Sequence, residues 1–408
     1  MTKNINQNWS ALKLFDQPFL KTFSLASDLL PLDESFLKST DSDLAVYENS
    51  SIDWRLEESL RSRNNLLASY AVSKAEQSAL TLAEAQEVYE LIIKQPQYDF
   101  LREKLTAGRK LTTKDHDRLE YFNIVKVFRR LDHQGFQLGD LTPDFIIKLH
   151  QELTAGLDVF DGQLTGFEPY HSGHWRADDL TRVGDFQPAP HQEIKSSVEE
   201  LIGWLKQNPS ALNVFVFHAA LYAVHPFKNG NKRVCRVLEH ILLRAIGYNE
   251  KNLYSTSAYY HKHRDKYYKN LLETLYKHNF NPVVALAAEA LFFSVVGVVA
   301  GVLQRKKLEF LQRSGLEKEV IAILKPLAKR QEINFSRLFA LNKRKLARQT
   351  FSNYLSIAVE RGIVNRRLAG RNTYYSVAGV WPEQERLTAW LQAGRNFFGS
   401  LPDELAGY

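Results

Sequence analysis

One interruption between two apolar segments constrains this chain more than any other feature. Val214 to Val224 is almost wholly apolar, and beyond the interruption Val234, Val237, Leu238, Ile241, Leu242 and Ala245 recur at offsets of 3, 4, 7, 8 and 11, one face of an α-helix. Gly247 supplies the stop. Between the two lies His225-Pro226-Phe227-Lys228-Asn229-Gly230-Asn231-Lys232-Arg233. A helix that starts here leaves first-turn N–H groups without partners, and such a terminus attracts phosphate. Gly230 lets an anion approach the backbone, Lys232, Arg233 and Arg236 add positive charge, and His225 stands at the edge as a general base for an incoming hydroxyl.

The string resembles the motif of the Fic/Doc family, His-x-Phe-x-(Asp/Glu)-Gly-Asn-Gly-Arg-x-x-Arg. His225, Phe227, Gly230, Asn231, Arg233 and Arg236 match it, whereas Asn229 replaces the acid and Lys232 the second Gly. The resemblance implies an all-α Fic-type helical bundle with a short β-hairpin flap. It also implies transfer of AMP, or another nucleoside monophosphate, from ATP or another triphosphate to a hydroxyl side chain of a target protein or of the enzyme itself, with Mg²⁺ or Mn²⁺. His225 is then the base, and Gly230, Asn231, Lys232, Arg233 and Arg236 bind phosphates. Tyr267 and Tyr268, in Arg264-x-x-Tyr267-Tyr268-x-x-Leu271, lie near the adenine. The family's acid holds the metal, so Asn229, with a carbonyl oxygen but no charge, is expected to be a weak metal ligand. Doc proteins carry Asn-Lys-Arg here and transfer the γ-phosphate. Three readings therefore stay open: an adenylyltransferase, a Doc-like protein kinase, and a non-catalytic, nucleotide-sensing DNA-binding regulator with a degenerate Fic site.

Upstream, Glu76 resembles the Glu of the family's inhibitory (Ser/Thr)-x-x-x-Glu-(Gly/Asn) motif, although Val72 and Gln77 replace its flanking residues. In the family this Glu pairs with the second motif Arg, here Arg236, and so competes with phosphate. Thr81 and Glu84 form a capping box for the next helix. Between Gly162 and Pro190 the segments Ser172–Arg176 and Thr181–Pro188 alternate enough for a hairpin, and resemble the flap that docks the target segment by strand addition.

At 408 residues and 44% apolar content, the chain can bury two or three folding units. A single Cys, Cys235, excludes an internal disulfide and any multi-Cys zinc site and suits a reducing, cytoplasmic setting. The expected division is a helical region over 1–110 carrying the inhibitory helix, a Fic core over 111–280, a connecting apolar helix over 281–314, a winged helix-turn-helix domain over 315–380, and a helix and tail over 381–408. The first 50 residues show no sustained period and are expected to be a loose lead-in with short helices. Ala290–Leu303 is shorter than the roughly 20 residues of a spanning helix, so a buried core helix and no membrane contact are expected. Arg305 to Arg371 holds 17 Lys and Arg against 5 Glu, although the whole chain is only +7. Arg344, Lys345 and Arg348 on a third helix and Arg366 and Arg367 on a wing form the charge footprint of a double-stranded DNA reader. Self-association into a homo-oligomer stays open.

Overall fold

A computed structural model describes residues 12–342 and 346–408, apart from Pro96 and Phe100. Two compact units meet between Ser294 and Val295.

The first unit is a helical bundle. Its helices are α1 (Glu34–Ser51), α2 (Trp54–Lys74), α3 (Leu82–Lys94), α4 (Arg102–Thr106), α5 (Thr113–Gln134), α6 (Pro143–Leu153), α7 (Ile194–Gln207), α8 (Ala211–Val224), α9 (Asn231–Ala245), α10 (Thr256–Lys262) and α11 (Arg264–Lys277). A two-residue antiparallel pair, β1 (Leu12–Lys13) with β2 (Ser24–Leu25), precedes them. The centre of the bundle is α8, in which Val214 to Val224 are all buried. A helix with no polar face needs neighbours on every side, and α7, α9 and α11 are among those that surround it.

Side-chain caps fix where several helices begin. Ser210 caps α8, Thr142 caps α6 with Pro143 in its first turn, and Thr81 and Glu84 close the expected capping box on α3. The N-terminal expectation is corrected: α1 is a regular helix of 18 residues, capped by Asp33. Its buried face mixes Leu37, Leu44 and Tyr47 with Thr40, Asp41 and Glu48, so polar residues inside the stripe concealed the period. The expected hairpin is corrected too. Among the described residues, the interval from Gly162 to Pro190 holds only an isolated bridge between Val183 and Phe186, the rest being turns, bends and irregular backbone.

The long helix α12 (Asn281–Arg313) is continuous. Among the described residues it alone is long and apolar enough to cross a membrane, yet 83% of its most apolar window is buried within the protein. That burial accounts for its composition as it would for any core helix.

In the second unit, α13 (Lys318–Ala328), β3 (Ile333–Asn334), α14 (Phe335–Ala340), α15 (Arg348–Glu360), β4 (Val364–Ala369), β5 (Asn372–Val377) and α16 (Pro382–Phe398) follow in order. The antiparallel sheet runs β3-β5-β4, with Val364 opposite Val377 and Ala369 opposite Asn372. Gly370 turns between the two longer strands at φ +58°, a left-handed conformation that glycine adopts without strain. Val320, Ile323, Leu324, Leu338, Phe351, Leu355, Val364 and Val377 close a core of their own.

Packing around α8 sets a measurable expectation. Leu221 is fully buried, so Leu221→Ala should lower unfolding free energy by about 2–5 kcal/mol. A urea midpoint that does not move would contradict its place in the core.

Candidate active site

The site is built where α8 stops. His225 ends the helix in the left-handed region at φ 52° and ψ 61°, a strained conformation for a residue with a Cβ. Pro226 then prevents the helix from resuming. Both carbonyls of the break sit away from bulk water and need donors, and Arg176 supplies them. Its Nε donates to the His225 carbonyl at 2.8 Å and its backbone N–H to the Pro226 carbonyl at 2.9 Å. The same guanidinium donates to the carbonyls of Val224 (3.3 Å), Asp178 (2.7 Å) and Ala189, and pairs with Asp179 at 3.1 Å. Sequence reasoning gave Arg176 no role. A basic residue between Gly173 and a run of turn residues was its only trace.

The loop from Phe227 to Gly230 is held from within. Asn231 bridges it, accepting the Phe227 N–H at 3.0 Å and donating to the Phe227 carbonyl at 2.8 Å. His150 lies flat against Phe227, with ring centroids 3.8 Å apart. Its Nδ1 accepts from the Gly173 N–H at 3.0 Å, so Nε2 carries the proton and donates to the Asn229 carbonyl at 3.1 Å. Burial pushes His150 down to about 3, keeping it neutral. It therefore positions the loop, a task that a lone Leu-His pair in sequence does not reveal.

His225 has the properties of a base. Its Nδ1 lies 3.3 Å from the Tyr222 carbonyl, which can only accept, so Nδ1 holds the proton and Nε2 keeps a free lone pair. Burial lowers the group to about 4. It is uncharged at neutral pH.

Beyond it, Gly230 (φ 80°) opens α9 without any side-chain cap, leaving first-turn N–H groups for an anion. A Cβ there would press on Arg233 Nη2 and His150 Nε2, each at 3.4 Å. Arg233 is fully buried, 4.8 Å over Tyr170 and 3.1 Å from the Glu120 carboxylate. Burial opposes its charge, and Glu120, then Tyr170 and Glu76, overcome that opposition. Arg233 Nη1 is paired with Glu120, whereas Nε and Nη2 of Arg233 and Nε of Arg236 are buried without a hydrogen-bond acceptor. Such orphaned donors are rare and ask for a partner; phosphate oxygens fit them in charge and geometry.

Arg236 is packed between Tyr260 and Tyr267, at 5.5 and 4.6 Å from their rings. The rings are fixed in turn: Tyr260 donates to Glu239 at 3.0 Å, and Tyr267 Oη lies 3.1 Å from His218 Nε2. Tyr267 is thus a buried support behind Arg236. Tyr268 is half-buried and donates to the Ala75 carbonyl at 2.6 Å.

Glu76 enters this site from the turn after α2, but not toward the expected partner. Its carboxylate faces Lys232 Nζ at 3.5 Å, while Arg236 donates to the Ala71 carbonyl at 3.1 Å. Burial pushes the Glu76 carboxyl up, but Lys232 and then Arg233 outweigh it and hold the group below its ordinary value. The pairing expected with Arg236 is corrected: a lysine at 232 reaches the carboxylate while Arg236 is occupied by the helix end. Next to Glu76, Gln77 is left-handed at φ 66°, the conformation that Gly or Asn adopts with least strain.

The donor set does not suit a protein-held divalent ion. Asn229 Oδ1 accepts the Gly230 N–H at 2.8 Å and carries no charge. Among the described residues, no group of three or more His, Cys, Asp or Glu is arranged to hold a metal. The expectation of Asn229 as a weak ligand thus keeps one neutral oxygen and no supporting carboxylate.

In the second unit, Arg348 lies 5.1 Å over Phe335 and Arg366 is exposed on β4. Arg367 is exposed but paired with Glu332 at 2.5 Å and stacked on Tyr374 at 4.9 Å. Arg344 and Lys345 lie outside the described residues.

A neutral histidine, an uncapped helix start and buried guanidinium donors are groups that could together hold a phosphate beside a base. Residues 140–243 match the Fic/DOC family model. A probable protein adenylyltransferase of Aquifex aeolicus is 24% identical over 132 residues, 31% of this chain and 37% of that protein. The chain thus matches little more than a third of that relative's length. Among solved structures, a Fic family protein from Desulfovibrio desulfuricans is 17% identical with a TM-score of 0.48, covering 86% of this chain and 99% of that one. Fic-1 from C. elegans is 15% identical with a TM-score of 0.48, covering 66% and 72%.

The turn at Gln77 generates a stability prediction. Gln77→Gly removes the left-handed strain and should raise unfolding free energy by about 1 kcal/mol and the melting temperature by about 2–4 °C. A lower midpoint in calorimetry would mean that the turn is not strained.

Proposed function

We propose that this chain transfers a nucleoside monophosphate from a nucleoside triphosphate to a hydroxyl side chain of a protein. The observation that carries the reading is the free Nε2 of neutral His225 beside a helix start whose arginines have buried, unpaired donors. The hydroxyl oxygen bonds to the α-phosphorus as the bond from that phosphorus to its bridging oxygen breaks. Pyrophosphate leaves with the electron pair, and the hydroxyl proton passes to His225 Nε2. Arg233, Arg236 and the first turn of α9 stabilise the charge that builds on phosphate oxygens. Gly230, rather than a residue with a Cβ, keeps room beside Arg233, which favours this reading over γ-phosphate transfer. Glu76 on Lys232 makes the arrangement a braked one, because a carboxylate there occupies a cation that phosphate needs.

ATP labelled at the α or the γ position separates the chemistries. Label from α should appear on protein, rise when Glu76→Gly releases the brake, and fall about 10²–10⁴-fold in His225→Ala. Label from γ alone would establish a kinase, and no transfer in either case would remove the enzyme reading. The pH dependence of kcat/KM should follow His225. The neutral ring is the active form, so the rate should hold down to about pH 5 and fall as pH drops through about 4; a fall centred near 6.5 would indicate an unburied histidine.

We also propose that the second unit contacts duplex DNA through α15 and the β4–β5 turn, supported by exposed Arg366 and by Arg348 at the start of α15. Binding should weaken with salt, and Arg348→Ala with Arg366→Ala should flatten the log K against log salt slope by about 2. A salt-independent interaction would point to a protein partner instead.

A further inference from the structure

We propose that the site takes its nucleoside triphosphate without a bound divalent cation, with Lys232 and Arg233 providing the positive charge. The inference rests on the reading of this pocket as a nucleotide site and adds how the phosphate charge is balanced there.

A magnesium ion needs anionic oxygen, ordinarily one or two carboxylates besides the phosphates. Four carboxylates near the motif already have a cation. Glu76 faces Lys232 at 3.5 Å, Glu120 faces Arg233 at 3.1 Å, Asp178 faces Lys228 at 3.6 Å, and Asp179 faces Arg176 at 3.1 Å. Asp179 also accepts the His191 N–H at 2.7 Å, so it is fastened twice. The one oxygen at the motif's acid position belongs to Asn229, and it is neutral and engaged by the Gly230 N–H at 2.8 Å.

The cations show the opposite imbalance. Among the described residues Lys232 has a single carboxylate partner, and that partner is the brake, so displacement of Glu76 leaves its ammonium without a counter-ion at the mouth of α9. Two nitrogens of Arg233, Nε and Nη2, are buried without acceptors, with only Nη1 paired with Glu120. A nucleotide free of metal carries more negative charge than its magnesium complex and satisfies these groups better. A divalent ion set among them would meet like charge and gain no anionic ligand from the protein. Asn229 and Lys232 therefore act as one exchange: the chain gives up the acid that attracts a metal and gains a fixed cation close by.

Calorimetric titration of the full chain carrying Glu76→Gly with α,β-methylene-ATP decides the matter. Two buffers of equal ionic strength are compared, one with EDTA and one with excess MgCl₂. Affinity in EDTA should equal or exceed that in magnesium. Lys232→Gln should weaken binding in EDTA by at least about tenfold, and Asn229→Asp together with Lys232→Gly should make magnesium tighten binding by a similar factor. Binding that is tenfold tighter in magnesium with Asn229 and Lys232 intact would overturn the proposal, as would a Lys232→Gln variant that binds normally in EDTA. Absence of binding in both buffers would instead overturn the reading of the pocket as a nucleotide site, and the proposal with it.

Discussion

The break between α8 and α9 depends on the Arg176 guanidinium. A chain that turns inside a buried helix pair leaves carbonyls that neither helix nor solvent can satisfy, and each such group costs about 1–3 kcal/mol. Arg176 answers several of them from one planar fork, and it can do so because its charge is offset at Asp179. His225 is left-handed because the turn demands it, and its Nδ1 lies against the Tyr222 carbonyl, so Nε2 keeps its lone pair. Geometry that would be strain elsewhere here becomes the orientation of a base.

The arginines of α9 follow the same logic in reverse. Arg233 and Arg236 are buried at the cost of their hydration, and only part of that cost is recovered within the protein. Glu120 and Tyr170 hold Arg233, while Tyr260, Tyr267 and the Ala71 carbonyl hold Arg236. Aromatic faces fix position and tolerate charge, but they accept no full set of hydrogen bonds. What is left unpaired is directional. Folding has thus stored binding capacity for an anion where rigid neighbours keep it aimed.

Much of this was legible in the sequence, because the motif is local. The apolar α8, the Gly230 start, the apolar face of α9 and the caps at Thr81 and Thr142 are short-range patterns with a fixed period. What escaped was non-local. Arg176 is 49 residues from His225, and Glu120 is more than a hundred from Arg233, so no spacing rule links them. The helix α1 was hidden by Asp41 and Glu48, buried polar residues that find Tyr254 and the Asn249 N–H only after folding in the case of Asp41. The flap alternation misled because Gly173 and Gly184, both left-handed, impose turns where strands would need extension.

In the proposed function the Glu76 turn joins these features to regulation. The end of α2 is fastened at Ala71 by Arg236 and at Ala75 by Tyr268, and the segment leading to α3 is held where the Ala79 N–H donates to Asp117 at 2.6 Å. Two of these anchors use side chains of the phosphate site itself. An anion that draws Arg236 or Lys232 toward itself therefore loosens the segment that carries Glu76, and the segment, when seated, withholds those cations from the anion. In the proposed function, competition between one carboxylate and a phosphate group for shared cations makes brake and substrate mutually exclusive, without any separate signalling element.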